Sequence, residues 1–160
     1  MTAAQFAKGF GYMPKRLARR VVRGLRSAAQ RGKGLVVEEI DAAQPFPAVD
    51  RGELRSSVAV DTLDDGAQLY VDAPHAVFVE EGTRPHTPPL GALVAWVLRK
   101  RFTKDDAEAP RIARAVQRKI AESGTAPRWF FRKAMVRLAP IVHAEIRREL
   151  AEDGASPSEE

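Results

Sequence analysis

The chain has 160 residues, of which 44% are hydrophobic and 7% aromatic, and its formal net charge is +5. A chain of this length is expected to form a single domain around one hydrophobic core. The absence of cysteine excludes a disulfide scaffold, a thiolate metal site and a cysteine nucleophile, and it suits assembly in a reducing cytoplasm. There is no signal-peptide pattern and no apolar run near the ~18 residues that a membrane span requires, so we expect a soluble protein with no membrane partner.

The charge is distributed unevenly along the chain. Eight basic residues and no acidic residue lie between Lys15 and Lys33, whereas the last twelve residues contain five acidic residues and no basic one. One interpretation is a solvated helix face together with a disordered acidic tail at residues 154–160. The other is a surface that meets an acidic partner, either a neighbouring subunit or DNA.

The first predicted element is a long amphipathic helix that begins near Pro14, because proline is favourable at the first helical position. Apolar residues recur at helical spacing along one side, and arginines occupy the opposite side. Gly32 and Gly34 are expected to end or weaken this helix, while the apolar pattern continues to about residue 43, before two prolines. The arginines on the polar side are Arg16, Arg19, Arg20, Arg23 and Arg26.

Two short runs with alternating apolar residues then predict a β-hairpin. Val58 and Val60 share one side of the first strand, and Leu69 and Val71 alternate with polar residues in the second. Asp64-Asp65-Gly66 lies between them, and an Asp-Gly pair favours a tight turn because its residues tolerate positive φ. A two-stranded sheet alone is marginally stable, so we expect a third strand and a neighbouring subunit to complete it.

The chain after the hairpin is predicted to be mainly helical. A short helical segment after Pro74 ends at Gly82, and a proline-rich loop follows it. Helical spacing then recurs in two further segments, the second of which is capped by Asp105 or Asp106 and ends near Gly124.

The last predicted element is a helix that carries apolar residues from Phe131 to Leu150, and Pro140 is expected to kink or restart it. The element order predicts an α+β fold: a long N-terminal amphipathic helix packed on a small antiparallel sheet, an inserted helical pair at about residues 88–123, and a C-terminal helix. Residues 1–153 are expected to form this single domain.

One short segment has an echo later in the chain. The two copies are Glu81-Gly-Thr-Arg-Pro-His86 and Ser123-Gly-Thr-Ala-Pro-Arg128. Two copies are too few for a repeat architecture. We interpret each as a local helix stop, in which glycine forms the left-handed cap, threonine supplies a hydroxyl and proline sets the exit direction.

The histidines do not form a recognisable catalytic or metal-binding motif. His75, His86 and His143 have no G-x-S-x-G or similar nucleophile setting near any serine. Their spacing also differs from the H-E-x-x-H pattern that places two ligands on one helix face. The sequence therefore predicts no metal site.

Glu80 and Glu81 are an adjacent pair of carboxylates that could be interpreted as an acid–base pair. Neighbouring residues on a helix point about 100° apart, so the two carboxylates would not face one another. One is expected to pair with a nearby arginine such as Arg84, and the other to be solvated. With no phosphate-binding loop either, the sequence predicts no enzyme activity, no catalytic residue and no cofactor.

The arginines of the first helix leave a nucleic-acid function open. Their side chains could neutralise several phosphates, which gives a salt-dependent affinity. There is no aromatic interleaving, zinc-knuckle pattern or helix-turn-helix to read bases. A non-specific DNA-binding protein that uses Arg16, Arg19, Arg20, Arg23 and Arg26 is therefore the alternative function.

Three segments, in this order and spacing, resemble the lambdoid-type minor tail component and neck family of tailed bacteriophages. Its G-x-L-R-x-S segment before the first strand corresponds to Gly52-Glu-Leu-Arg-Ser-Ser57. Its Y-A-x-x-V-E-x-G-T segment after the second strand corresponds to His75-Ala-Val-Phe-Val-Glu-Glu-Gly-Thr83, with histidine replacing the usual tyrosine. Its P-x-x-F-x-x-A segment corresponds to Pro127-Arg-Trp-Phe-Phe-Arg-Lys-Ala134, which is one residue longer and has Phe130 or Phe131 in the aromatic position.

The resemblance covers roughly residues 17–150 and implies a ring-forming structural protein of the virion, expected to be a hexamer. Its implied place is the head–tail junction or the head-proximal end of the tail, after assembly in the host cytoplasm. The implied partners are further copies of the chain and the adjoining connector and tail proteins, with non-specific contact to phage DNA. The family pattern implies no catalysis and no cofactor.

Three groups of residues form the candidate site in this hypothesis. The loop after the hairpin is shaped by Gly82, Thr83, Pro85 and Pro88. Leu54 and Phe78 are expected to anchor the sheet to the first helix, and Arg16, Arg20, Arg23 and Arg84 to offer charge to a partner. The full set of expected structural or assembly residues is Leu54, Arg55, Phe78, Glu80, Gly82, Thr83, Arg84, Pro85 and Phe131.

Overall fold

The computed structural model describes residues 14–43, 51–103 and 105–152, and the acidic tail predicted at residues 154–160 lies outside them. The fold is α+β, as predicted. In chain order its elements are α1 (Lys15–Ala42), α2 (Glu53–Ser56), β1 (Val58–Leu63), β2 (Gly66–Val71), α3 (Ala76–Glu81), α4 (Leu90–Arg99), α5 (Ala109–Ser123) and α6 (Phe130–Ala151). None of the described helices is long and apolar enough to cross a membrane.

The described residues divide into two compact units. The first contains most of α1, the hairpin and most of α6, and the second contains α2, α3, α4 and α5. The first unit consists of residues 14–37, 58–70 and 133–152, and the second consists of residues 38–43, 51–57, 71–103 and 105–132.

Helix α1 runs without interruption through Gly32 and Gly34 to Ala42, so these glycines do not end it, and the expected continuation to about residue 43 is confirmed. Gly32 is buried, and a Cβ built on it would lie 2.8 Å from Leu138 Cδ2 and 2.9 Å from Leu69 Cδ2. A Cβ on Gly24 would lie 2.8 Å from the Cα of Ile146. Close packing of α1 within the first unit therefore explains both glycines, because a Cβ at Gly24 would meet backbone and one at Gly32 would require leucine side chains to shift.

The β-hairpin is confirmed, with a two-residue loop between β1 and β2. The N–H of Asp72 donates to the carbonyl of Ser57 at 2.9 Å, which sets the register. Alternation along an antiparallel pair then directs the N–H and C=O groups of Val58, Val60 and Thr62 away from β2. The predicted third strand is not found in the parts of the chain that the structure describes.

The hairpin turn differs from the prediction in its backbone conformation. Among the described residues, positive φ occurs elsewhere and not at Asp64, Asp65 or Gly66. The guanidinium of Arg26 donates to the carbonyl of Leu63 at 2.6 Å and to that of Gly66 at 3.4 Å. A side chain of α1 thus holds the turn, and Asp-Gly with positive φ is not needed.

The predicted helical pair is present as α4 and α5 in the second unit. Val97, Ala109 and Ala113 are fully buried at its centre. The half-buried residues packed around them are Leu90, Leu93, Val94, Trp96, Leu98 and Ile112. In the connection between the helices, Asp105 Oδ1 accepts the Ala107 N–H at 2.8 Å. The N-cap of α5 is Glu108, which makes no side-chain cap hydrogen bond, so the prediction that Asp105 or Asp106 caps this helix is wrong.

Helix α6 continues through Pro140, so the predicted restart there is wrong. Proline removes one N–H that would bond to the carbonyl of Val136. The side chain of Val136 is 72% exposed, so water can reach this face of the helix. At the start of α6, Phe130 is 1% exposed and Phe131 is half-buried, which assigns the buried aromatic position to Phe130 and not to Phe131.

Candidate assembly site

The two echoed segments end helices α3 and α5, as predicted. The φ and ψ angles are 77° and −173° at Gly82, and 69° and −157° at Gly124. The positive φ agrees with the prediction, but the extended ψ differs from that of a left-handed helical cap. Only glycine adopts this region of backbone space without strain, so the residue type is required at both positions.

The two segments also pair with each other. The N–H of Thr83 donates to Thr125 O at 3.1 Å, and the N–H of Thr125 donates to Thr83 O at 3.2 Å, in an isolated antiparallel bridge. Their hydroxyl oxygens lie 3.0 Å apart. The echo in the sequence is therefore one structural feature, which we call the Gly-Thr pair (residues 82–83 and 124–125).

The proline-rich loop after the Gly-Thr pair is held on α5. The side-chain amide of Gln117 donates to the carbonyl of Pro88 at 2.8 Å. Nδ1 of His86 lies 2.9 Å from the carbonyl oxygen of Arg84. The side chains of Arg84, Pro85 and His86 remain exposed, so this loop presents its surface to solvent or to a partner.

Glu80 is the central side chain of the site because it caps α6. Its carboxylate accepts the N–H of Phe131 at 2.9 Å and the N–H of Arg132 at 3.0 Å. These are two of the N–H groups that a helix start leaves without an intrahelical acceptor. The prediction that one of the two glutamates pairs with Arg84 is therefore not met by Glu80, since both of its oxygens face the backbone of α6.

The segment just before α6 is tied to α3 by its backbone. The N–H of Arg128 donates to Val79 O at 3.0 Å, and the N–H of Trp129 donates to Glu80 O at 3.1 Å. Trp129 has a φ of 55°, which is uncommon for a bulky residue. The guanidinium of Arg132 lies 4.1 Å from the centre of the Trp129 ring, a cation–π contact.

The remaining predicted site residues divide between buried and exposed positions. Leu54 is 3% exposed and thus a core residue. Arg55 forms an ion pair with Asp41 at 3.6 Å. Phe78 is 58% exposed, so the prediction that it anchors the sheet is wrong. It lies on the outward side of α3, beside Val77, which is 52% exposed.

The arginines of α1 are largely occupied within the first unit. Arg20 is buried, with 6% exposure, and does not lie on the predicted exposed face. Arg23 pairs with Glu149 at 3.0 Å, and Arg26 holds the hairpin turn. Arg16 and Arg19 are exposed.

A buried carboxylate on α6 accounts for much of this charge pairing. Glu145 is 3% exposed and accepts from Ser27 Oγ at 2.8 Å, Arg31 Nε at 2.9 Å and Arg148 Nη2 at 2.8 Å. The sequence analysis did not identify it. A usable signal was present, because Arg23, Ser27 and Arg31 recur every four residues, as do Glu145 and Glu149.

The described residues contain no cluster of metal-binding side chains. His75, His86 and His143 are exposed, and within the described ranges there is no group of three or more histidine, aspartate or glutamate side chains placed to hold a metal ion. The pKa of Glu108 is lowered by its hydrogen bond from Arg111 and by a second from Thr103. Both contacts shape the connection between α4 and α5, so this shift has a structural cause.

No protein-family model, curated protein or solved structure matches this chain.

Proposed function

We propose that this chain is a structural subunit of the head–tail junction of a tailed bacteriophage, a neck or tail-completion protein. In this role it forms a ring, expected to be sixfold, that joins the connector to the tail and lets DNA pass. The observation that carries the proposal is the contact of Glu80 with the N–H groups of Phe131 and Arg132. It joins two of the three segments on which the resemblance to the neck family rests.

The motif residues have structural reasons for their identity. Gly52 has a φ of 85° at the start of α2, and Gly82 has a φ of 77° at the end of α3. Leu54 is buried, and the hydroxyl of Ser57 donates to the carbonyl of Leu54 at 2.8 Å. Residues with such backbone and packing demands support a scaffold role, and they fit a family whose motifs serve the fold of an assembly subunit.

The hairpin offers a physical route to a ring. Both of its outer edges lack a strand partner within residues 14–43, 51–103 and 105–152. If β1 of one copy pairs with β2 of the next, each interface joins two different edges, and such a head-to-tail contact forms a ring when the rotation between successive copies closes. The adjoining connector and tail proteins would then meet the two faces of the ring in the virion.

Non-specific DNA binding through α1 is the second candidate function. The burial of Arg20 and the contacts of Arg23 and Arg26 inside the first unit argue against it, because a guanidinium that is buried or already engaged cannot neutralise a DNA phosphate without losing those contacts. The assembly role is therefore preferred.

Size-exclusion chromatography with light scattering, followed by negative-stain imaging, tests the assembly role. The purified chain is expected to form rings alone or after addition of connector and tail-tube proteins. Thr62→Pro removes an outward-facing N–H from the exposed end of β1, whereas Thr62→Ala keeps it. We expect the proline variant to stay folded and lose the ring, and the alanine variant to keep it. A chain that stays monomeric with every partner contradicts the proposal.

A further inference from the structure

Helix α5 carries a line of arginines on the face opposite its contact with α4. Ala109 and Ala113 are buried against α4, whereas Arg111, Arg114 and Arg118 are exposed. At about 100° per residue the three arginines fall within roughly 60° of one another around the helix. They form one straight basic stripe.

The charge of this stripe is only partly compensated. Arg111 pairs with Glu108 at 2.5 Å, and the Arg111 side chain remains 80% exposed. Arg114, Arg118 and the adjacent Lys119 have no ion pair to any residue in the described part of the chain. This distinguishes α5 from α1, whose Arg23 and Arg31 face carboxylates of α6.

We propose that the stripe formed by Arg111, Arg114 and Arg118 binds the phosphate backbone of duplex DNA without reading its sequence. The three residues span about 10.5 Å along the helix axis, at 1.5 Å per residue. One DNA strand presents a phosphate about every 3.4 Å along its axis, and successive phosphates also turn around that axis, so the stripe can reach about two to three of them.

Chemistry favours DNA over an acidic protein as the occupant. A guanidinium binds the oxygens of one phosphate with two parallel hydrogen bonds, as it also binds a carboxylate, so the arrangement of the charges decides between the two. The phosphates of one strand form a continuous line of negative charge, so a row of cations can contact more than one of them, whereas the carboxylates of an acidic protein have no fixed repeat. No exposed aromatic or amide side chain lies beside the three arginines on this face, so we expect the stripe to contact phosphates and not to read bases. This inference does not require the ring.

Fluorescence anisotropy with a labelled duplex of mixed sequence, titrated between 50 and 200 mM NaCl (about a fourfold range), tests the proposal. Three phosphate contacts predict a slope of about −3 in a plot of log affinity against log salt. The charge reversal Arg114→Glu/Arg118→Glu is expected to lower affinity by at least about tenfold and to bring the slope toward −1. The milder Arg114→Gln/Arg118→Gln variant should reduce the slope by about two without adding repulsion.

The matched control is Lys15→Glu/Arg19→Glu, which changes the net charge equally on an exposed part of α1. It is expected to keep most of the affinity and the full slope. Circular dichroism should be unchanged in every variant, because all four positions are exposed. Equal losses in stripe and control variants, or no binding by the unaltered chain at the lowest salt, overturn the proposal. Equal binding to poly-glutamate, lost in the same stripe variants, also overturns it in favour of an acidic protein partner.

Discussion

Gly82 and Gly124 adopt nearly the same backbone conformation, and each lies against the residue that follows the other. A Cβ on Gly82 would collide with the carbonyl oxygen of Thr125, and one on Gly124 would collide with that of Thr83. Helices α3 and α5 both end at these glycines, and the residues that follow pair with each other in the second unit. The absence of a side chain at these positions is what allows the Gly-Thr pair to form.

Alanine at either glycine of the Gly-Thr pair is expected to destabilise the protein by about 3 kcal/mol, from backbone strain and the carbonyl collision together. Urea unfolding followed by circular dichroism measures the loss. Gly91→Ala is the control, because Gly91 is exposed in α4 and nothing lies within 4 Å of its added Cβ. Unchanged stability in Gly82→Ala or Gly124→Ala would argue against the paired geometry.

The three glycines of α1 are expected to respond differently to alanine. Gly24→Ala should cost about 1–3 kcal/mol, because its neighbour is the backbone of Ile146, which cannot move aside alone. Gly32→Ala should cost less, since the ends of leucine side chains can adjust. Gly34→Ala should stabilise by up to about 1 kcal/mol, because nothing lies within 4 Å and alanine is the better helix former. Thermal unfolding of the three variants would reveal this order, and a loss at Gly34 would contradict it.

Glu80→Ala is expected to cost about 1–2 kcal/mol, because two N–H groups at the start of α6 lose their acceptor. Glu80→Gln should cost less, since one amide oxygen can still accept. Glu81→Ala, at the exposed neighbouring position, provides the control. Chemical denaturation compares the three, and equal stability of the alanine variants at both positions would refute the capping role.

Removing the exposed partners of Glu145 should be more harmful than neutralising the carboxylate itself. In Arg31→Met/Arg148→Met the buried carboxylate loses both arginines and keeps only Ser27 of its three side-chain partners. We expect the free energy of unfolding to fall by about 3 kcal/mol. Glu145→Gln removes the charge and keeps an acceptor, at a cost of about 1 kcal/mol. Denaturant midpoints of the two variants test this ranking. The reverse order would mean that water already reaches the carboxylate.

Arg111→Met is expected to raise the pKa of Glu108 toward its ordinary value, because the hydrogen bond from Arg111 is the largest cause of the lowered pKa. A carboxylate with a lowered folded-state pKa stabilises the fold above its unfolded-state pKa, and this contribution is lost as pH falls through the folded-state pKa. A carbon-detected NMR titration of the glutamate carboxyls follows the shift. Arg114→Met should leave it unaltered, and an unmoved pKa in Arg111→Met would contradict the assignment.

Some residues of the candidate site were predictable, but their contacts were not. Gly82, Thr83 and Glu80 were singled out from a segment pattern, and all three have definite structural roles. Their partners Thr125, Phe131 and Arg132 lie 42 to 52 residues away in the chain. Local sequence patterns do not predict contacts between residues that far apart in the sequence. The repeated Gly-Thr sequence was the one feature of the sequence that related the two loops to each other.

Local sequence determined the elements themselves. The 3.6-residue spacing in α1, the period-two alternation in β1 and β2, and the glycines that end α3 and α5 act through neighbouring residues, so each could be predicted. Tertiary packing decided what these patterns leave open. Gly32 lies inside an unbroken helix at a position where leucine side chains fill the space beside it, and Phe78 is exposed although its residue type favours burial. Arg23 and Arg31 of α1 pair with Glu149 and Glu145 because packing brings distant segments of the chain together. The energy of such contacts depends on the distance between the residues in space and not on their separation in the sequence.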